Sequence, residues 1–344
     1  MIWFRSADGL IKSRPFIVEQ EDILTNHKLS FRIALFLLTF AAAVALAQSL
    51  PPQALNQNAI VGEDESVTFR SDTRLVLLHA TVTDAHGKIV SDLPRSAFTV
   101  YENGVEQPLK IFRREDVPVS MGIVVDNSSS MRDKRAKVAA ASMALVKASN
   151  PEDEIFIVNF NEDAYLDQPF TSDNAKLSDA LARIDSKGNT SMFDALNMSM
   201  NYLIDKGTQD KKVLLVVTDG NDNTSQTTLK QLIYKARQNE VLIYSIGLLS
   251  DDEPREARKA EVALKALTTA TGGLDYYPKD LAEIDRITPD VAHEIRNQYI
   301  LAYSPTNPAL DGSFRKVDVV VNGYGHPNVR TRNGYYATPR GGAR

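Results

Sequence analysis

The sequence predicts a doubly wound α/β domain with a mostly parallel sheet, joined to a small antiparallel β-sandwich built from the chain on either side of it. Three observations carry that prediction. Between Val119 and Arg296 short apolar runs alternate with helical patterns, as expected for strands covered by helices on both faces. Ahead of Pro118 and beyond Asn297 the pattern has a period of two and is rich in Val, Thr, Phe and Tyr, the mark of half-buried antiparallel strands. Neither flank is comfortable alone, because about four strands ahead and about three behind each leave unpaired edges and one apolar face to cover. The two flanks are therefore expected to pair, on the side of the α/β domain away from the carboxyl ends of its strands.

In chain order, Lys28 and Arg32 lead into an apolar segment, Ile33 to Leu46, that ends in Ala45-Leu46-Ala47. This is a signal-peptide pattern over residues 1–47, with residues 1–27 an odd preface that a start assigned too far upstream would explain. The apolar run is short of the ~20 residues that span a bilayer, so export with cleavage is expected, and an uncleaved inner-membrane anchor over 33–50 is the alternative. Residues 48–65, with Pro, Gln and Asn, read as a linker. The first part of the β-sandwich is expected over 66–117, in the segments SVTFRSD, RLVLLHATVTD and AFTVYENGVEQPLKIFRRE. Turns fall at Asp84–Gly87 and at Asn103-Gly104, the latter a hairpin signal.

The α/β domain is expected over 118–296. Its strands read Val119–Asp126, Glu154–Phe160, an edge strand at Ala164–Gln168, Val213–Asp219, Val241–Leu248 and a short one at Asp275–Tyr277. Its helices read Arg132–Ser149, Asn174–Ile184, Met192–Lys206, Thr228–Asn239, Ala257–Thr271 and Leu281–Arg296. The second part of the sandwich follows over 297–338, and a Gly/Arg-rich tail, 339–344, is expected to be disordered.

Composition narrows the function. With 344 residues and 43% apolar content the chain can fill the cores of about two domains. Its net charge is -5, and without residues 1–47 the balance remains acidic, 34 basic against 40 acidic side chains. That argues against nucleic acid, which needs a basic surface. There is no cysteine, hence no disulfide framework, thiolate zinc site or cysteine nucleophile. The five histidines are scattered, with no pair at the spacing that aims two imidazoles at one zinc ion.

In an open α/β sheet, ligands bind outside the carboxyl ends of the strands where strand order reverses. Two strands end there in an acid. IVVDNSSS places Asp126, Ser128 and Ser130 on one loop, and LLVVTDGNDN places Asp219 on another. A third loop, SKGNTSMFDAL, presents Thr190. Two carboxylates with three hydroxyls, and neither imidazole nor sulfur, form a hard oxygen set that suits Mg²⁺, with Mn²⁺ or Ca²⁺ as alternatives. Two acids nearly neutralise such an ion and leave it electrophilic toward a carboxylate from outside.

These segments, D-x-S-x-S at Asp126, Ser128 and Ser130, G-N-T-S-M-F-D-A-L at Gly188–Leu196 and T-D-G at Thr218–Gly220, resemble the von Willebrand factor type A domain. The resemblance spans about 118–296. It implies a Rossmann-like fold and a metal-ion-dependent adhesion site, in which Ser128, Ser130 and Thr190 bind the ion through hydroxyls and Asp126 and Asp219 act directly or through water. The flanks VTDAHGKIVSDLPRSAFTVYENG and QYILAYSPTNPALDGSFRKVDV are similar to exported, acidobacterial-type relatives of that family. Ser129 stands where the family usually has Gly. If that position required positive φ, Ser would carry strain of about 1 kcal/mol.

Plainer readings exist for each segment. Ser130 with Asp133 fits a helix capping box, Thr190 could cap the helix from Met192, and Asp219-Gly220 could be a turn. Enzyme readings lack parts: a haloacid-dehalogenase-like site would need a second acid where Ser128 stands. There is also no G-x-S-x-G elbow and no phosphate loop. The sequence thus points to a non-enzymatic, exported, periplasmic or secreted Mg²⁺-dependent protein-binding module. Its partner presents Glu or Asp, and membrane contact would come only through an uncleaved anchor. A scaffold whose metal site is not used is the alternative, with a metal-dependent hydrolase or phosphatase behind it.

Overall fold

The computed structural model describes residues 75–339, apart from 115, 184, 185, 251, 252 and 324. All of them belong to one compact unit, Ser71–Arg344. The signal-peptide pattern, the linker, the strand expected over 66–72 and residues 340–344 of the tail lie outside the described residues. Among the described residues no helix is long and apolar enough to cross a membrane.

The first flank forms β1 (Val76–Thr83), β2 (Phe98–Glu102), β3 (Val105–Gln107) and β4 (Leu109–Arg114). Asn103 and Gly104 turn β2 into β3 with φ of 49° and 82°, a two-residue hairpin in which both positions are left-handed. The α/β segment supplies β5 (Val119–Asp126), β6 (Glu154–Phe160), β7 (Ala164–Thr171), β8 (Lys211–Thr218), β9 (Val241–Gly247) and β10 (Asp275–Tyr276). Its helices are α1 (Arg135–Ala148), α2 (Asn174–Leu181), α3 (Met192–Lys206), α4 (Leu229–Gln238), α5 (Pro254–Thr271) and α6 (Glu283–Arg296). The second flank folds into β11 (Tyr299–Tyr303), β12 (Phe314–Val321), β13 (Asn328–Arg330) and β14 (Gly334–Tyr336).

The central sheet has the order β10-β9-β8-β5-β6-β7, parallel except for the antiparallel edge strand β7. Every residue of β5 is buried, because alternate side chains enter two separate cores. Met121, Ile123 and Val125 meet α1, α2 and α6 on one face, and Val124, with Phe156 and Val216, meets α3, α4 and α5 on the other. The chain steps from β5 to β6 in one direction and later returns to the other side of β5 with β8, so strand order reverses between β5 and β8. The carboxyl ends of these two strands therefore flank the crevice where an α/β sheet binds ligands.

The flanks pair with each other. β1 lies antiparallel between β11 and β13, β4 adds to the other edge of β11, and β12 runs antiparallel between β2 and β14. The two four-stranded sheets enclose a core of Leu78, Ala80, Val82, Val100, Tyr299, Leu301 and Val317. The sandwich meets the amino ends of β8 and β9, opposite the β5–β8 crevice. Gln298 donates to Thr81 Oγ1 at 3.0 Å and to the Tyr244 hydroxyl at 3.1 Å, and Arg332 reaches Glu240 at 3.1 Å.

Several bounds shift from the sequence expectation, among them the start of α5 at Pro254 rather than Ala257 and β8 at Lys211–Thr218 rather than Val213–Asp219, and three differences have a visible cause. The second flank holds four strands rather than about three, because the segment VRTRNGYYA divides into β13 and β14 in different sheets where Arg332 between them turns inward to the carbonyl of Leu77 at 2.6 Å. β7 runs to Thr171 rather than Gln168, carried by Phe170, whose ring packs 4.9 Å from Phe156. Pro169 is tolerated there because β7 is an edge strand. Helix α1 begins at Arg135 rather than Arg132, since Ser129–Met131 form a tight 3-10 turn first.

Candidate functional site

The site begins where β5 stops. Asp126 is fully buried; its Oδ1 accepts the Ser128 amide at 2.8 Å and its Oδ2 the Thr218 hydroxyl at 2.6 Å. The first bond bends the chain sharply off the strand, and the second ties β5 to its neighbour β8. Burial pushes the Asp126 carboxyl up to about 6, with the bonds from Thr218 and Ser128 opposing and the nearby Asp219 adding to the rise.

The loop that follows is anchored on both sides. Asn127 donates its amide to Phe160 O at 2.6 Å, and Met131 plugs into the core with no exposure. Ser128 Oγ lies 3.1 Å from Ser130 Oγ, and Ser130 Oγ donates to Asp219 Oδ1 at 2.8 Å. Ser130 is exposed, whereas Asp126, Ser128, Thr190 and Asp219 are buried, so the cluster opens to solvent on the Ser130 side. Ser129 has no positive φ, so the expected strain is absent. Its hydroxyl instead donates to Gly188 O at 3.1 Å, a tie to the Thr190 loop that glycine could not make.

The Thr190 loop is held from two directions. Asn189 donates backbone and side-chain N–H to Glu162 Oε1 at 3.3 and 3.2 Å. Thr190 exchanges bonds with Asn223, its amide reaching Asn223 Oδ1 and its carbonyl accepting the Asn223 amide, both at 3.1 Å. Thr190 Oγ1 also lies 3.8 Å from the position a Cβ would take on Gly220, next to Asp219. Asp126 at the end of β5 and the other four residues on three adjoining loops thus come together at the β5–β8 crevice. Ser128, Ser130 and Asp219 form one chain of oxygens, Asp126 lies behind Ser128, and Thr190 faces the loop of Asp219.

The plain capping readings do not describe these side chains. The residue preceding α1 is Lys134, with no side-chain cap, and the Ser130 hydroxyl is committed to Asp219. The residue preceding α3 is Ser191, also without a side-chain cap.

Three features escape a reading of the sequence. Lys134 Nζ donates to Asp219 Oδ2 at 2.6 Å and to Leu248 O at 3.4 Å. Arg135 is completely buried behind the first loop, donating to Asn127 Oδ1 at 3.2 Å and Asn159 Oδ1 at 2.9 Å. Burial pulls its guanidinium down from its usual range, and the charges of Asp126 and Asp167 oppose that. Asn223 is the third, and its place in GNDN marks it only as a turn residue. The helical pattern makes Lys134 and Arg135 ordinary surface cations; their approach to the site depends on the 3-10 turn.

The donor set fits a small hard cation. Adjacent oxygens of an octahedron with metal–oxygen bonds of about 2.0–2.1 Å lie about 2.9 Å apart. The Ser128–Ser130 and Ser130–Asp219 separations, 3.1 and 2.8 Å, bracket that edge. Asp126, buried with the carboxylate of Asp219 nearby, is a group whose charge a divalent ion would compensate. Among the described residues no group of three or more His, Cys, Asp or Glu could hold an ion, so the hydroxyls are needed to complete a ligand set.

Residues 121–221, which include all five of these side chains, match the von Willebrand factor type A domain. The segment is a von Willebrand factor type A domain. No curated protein matches the chain. Among solved structures, the type A domain is similar to an aerotolerance-related membrane protein from Bacteroides fragilis (18% identity, 52% of this chain and 98% of that one, TM-score 0.43). It is also similar to the von Willebrand domain of the type V pili tip protein Mfa5 from Porphyromonas gingivalis (16%, 53% and 97%, 0.43). A von Willebrand factor type A protein from Catenulispora acidiphila covers more of this chain (13%, 78% and 74%, 0.44).

Proposed function

We propose that the chain is an exported, non-enzymatic adhesion module that binds a partner protein through a divalent cation, Mg²⁺ or in its place Mn²⁺ or Ca²⁺. Ser128, Ser130 and Thr190 would hold the ion through hydroxyls, and Asp126 and Asp219 directly or through water. The ion would supply a Lewis-acidic position for an oxygen of the partner's Glu or Asp side chain. The observation that carries this reading is the run Ser128 Oγ, Ser130 Oγ, Asp219 Oδ1, spaced at 3.1 and 2.8 Å at the solvent-open end of the crevice.

This chain's own residues do the rest. Thr218 and the Ser128 amide occupy one lone pair on each oxygen of Asp126 and fix its plane. Asn223, Glu162 and Ser129 hold the Thr190 loop against the other two. Export rests on the leader pattern that ends at Ala47.

The test is capture of partners from the exported proteome with Mg²⁺ and with chelator, side by side. A partner retained only with Mg²⁺, and released by a millimolar free carboxylate but not by a neutral amide, is the expected result. Retention unaffected by chelator would favour a scaffold. The Lys134–Asp219 ion pair favours that second reading, because it lets the crevice persist without an ion.

A further inference from the structure

Asp219 is almost fully enclosed, its side chain only 1% exposed, and both of its oxygens are engaged. Oδ1 accepts the Ser130 hydroxyl and so belongs to the proposed ligand set. Oδ2 accepts the Lys134 ammonium at 2.6 Å, a charge-assisted bond in a half-enclosed setting. Lys134 comes from the turn that precedes α1, and its side chain is 26% exposed, so its flexible stem can carry the ammonium to water without disturbing the core. A dication resting on Ser128, Ser130 and Asp219 would stand beside that ammonium, and two positive charges on one carboxylate repel strongly where solvent screening is poor.

We propose that Lys134 is a built-in cation that occupies Asp219 in the metal-free protein and is displaced when a divalent ion enters, so that filling the site exchanges one cation for another. The proposal rests on the metal reading above and adds its regulation. The ammonium keeps the buried carboxylate compensated in the empty site, and it sets the divalent concentration at which the module becomes competent to bind.

The experiment is titration of the full chain with MgCl₂ by isothermal calorimetry, for the wild type, Lys134→Met and Lys134→Gln. Thermal melting of each is followed in chelator and in saturating Mg²⁺. Methionine keeps most of the aliphatic stem and glutamine keeps a neutral donor, so a folding defect in one variant leaves the other informative. Both variants should bind Mg²⁺ at least about tenfold more tightly than the wild type, as expected for removal of a competing charge at close range. Both should melt lower than the wild type in chelator and regain the difference in Mg²⁺. Equal or weaker Mg²⁺ binding by folded variants, while the wild type binds, overturns the proposal and leaves the metal reading intact. Absence of Mg²⁺ binding in all three proteins overturns the metal reading, and the exchange falls with it.

Discussion

The Tyr303 hydroxyl donates to Glu102 Oε2 at 2.9 Å, joining β11 in one sheet of the sandwich to β2 in the other through a buried carboxylate. Tyr335 donates to the same oxygen at 2.8 Å, and Arg315 lies 3.8 Å from Oε1. One acid from the first flank thus gathers three partners from the second. Replacing Glu102 by Ala should cost about 3 kcal/mol, because buried donors lose their acceptor and Arg315 loses its counter-charge. Urea unfolding measures this, and Glu102→Gln should lose less because an acceptor remains.

The same interdependence predicts the effect of shortening the chain. Truncation after Arg296 removes both neighbours of β1 and, with β12, the strand that covers one edge of β2. Leu78, Ala80 and Val100 would then face solvent. The shortened protein should aggregate or lose protease resistance over residues 75–114. A truncated chain that stays soluble and protected there would mean that the first flank folds without the second.

Asp219→Ala takes away one of two carboxylates at the crevice and the acceptor for both Ser130 and Lys134. Mg²⁺ affinity should fall by two or more orders of magnitude, roughly the effect of losing a charged ligand, while the sheet survives. Ser128→Ala should fall less, since a neutral ligand is lost. Calorimetric titration of folded Asp219→Ala with undiminished Mg²⁺ affinity would contradict the proposed ligand set.

Lys211, at the start of β8, is buried and donates to Ile295 O. Burial pulls its amine down to about 7, against the attraction of Asp116, Glu294 and Asp153. Between that value and its ordinary value of about 10.4 the unfolded chain binds a proton that the native state has released. The contribution of Lys211 to stability therefore rises with pH across this window and is lost as pH falls through about 7. Relative to Lys211→Met, the wild type should gain stability from about pH 7 to about pH 10, measured by denaturant unfolding at each pH. A constant difference would show that the amine keeps its proton inside the fold.

The elements of the α/β domain were legible because its strands and helices write different periods into the chain. The bounds of β5, β6 and α3 coincide with the sequence reading, since Asp126, Phe160 and Lys206 end uninterrupted patterns. The three loops were legible too, because Ser, Thr, Asp and Gly at strand ends are visible without coordinates. The late start of α1 was not, because residues 132–134 continue the helical pattern and yet lie in the turn that follows Ser129–Met131.

The sequence by itself determined which residues could serve: an acid at the end of each of two buried strands, three hydroxyls on the intervening loops, and two β-rich flanks that neither edge nor core could satisfy separately. Local pattern suffices for these because burial periodicity and turn chemistry act over a few neighbouring residues. The tertiary structure alone decided what those residues meet. Lys134 finds Asp219 across 85 positions, Ser129 finds Gly188 across 59, and Tyr303 finds Glu102 across 201. Such pairings depend on strand order and on the turn that aims each side chain, and charge or polarity at one position carries no record of its partner's place in the chain.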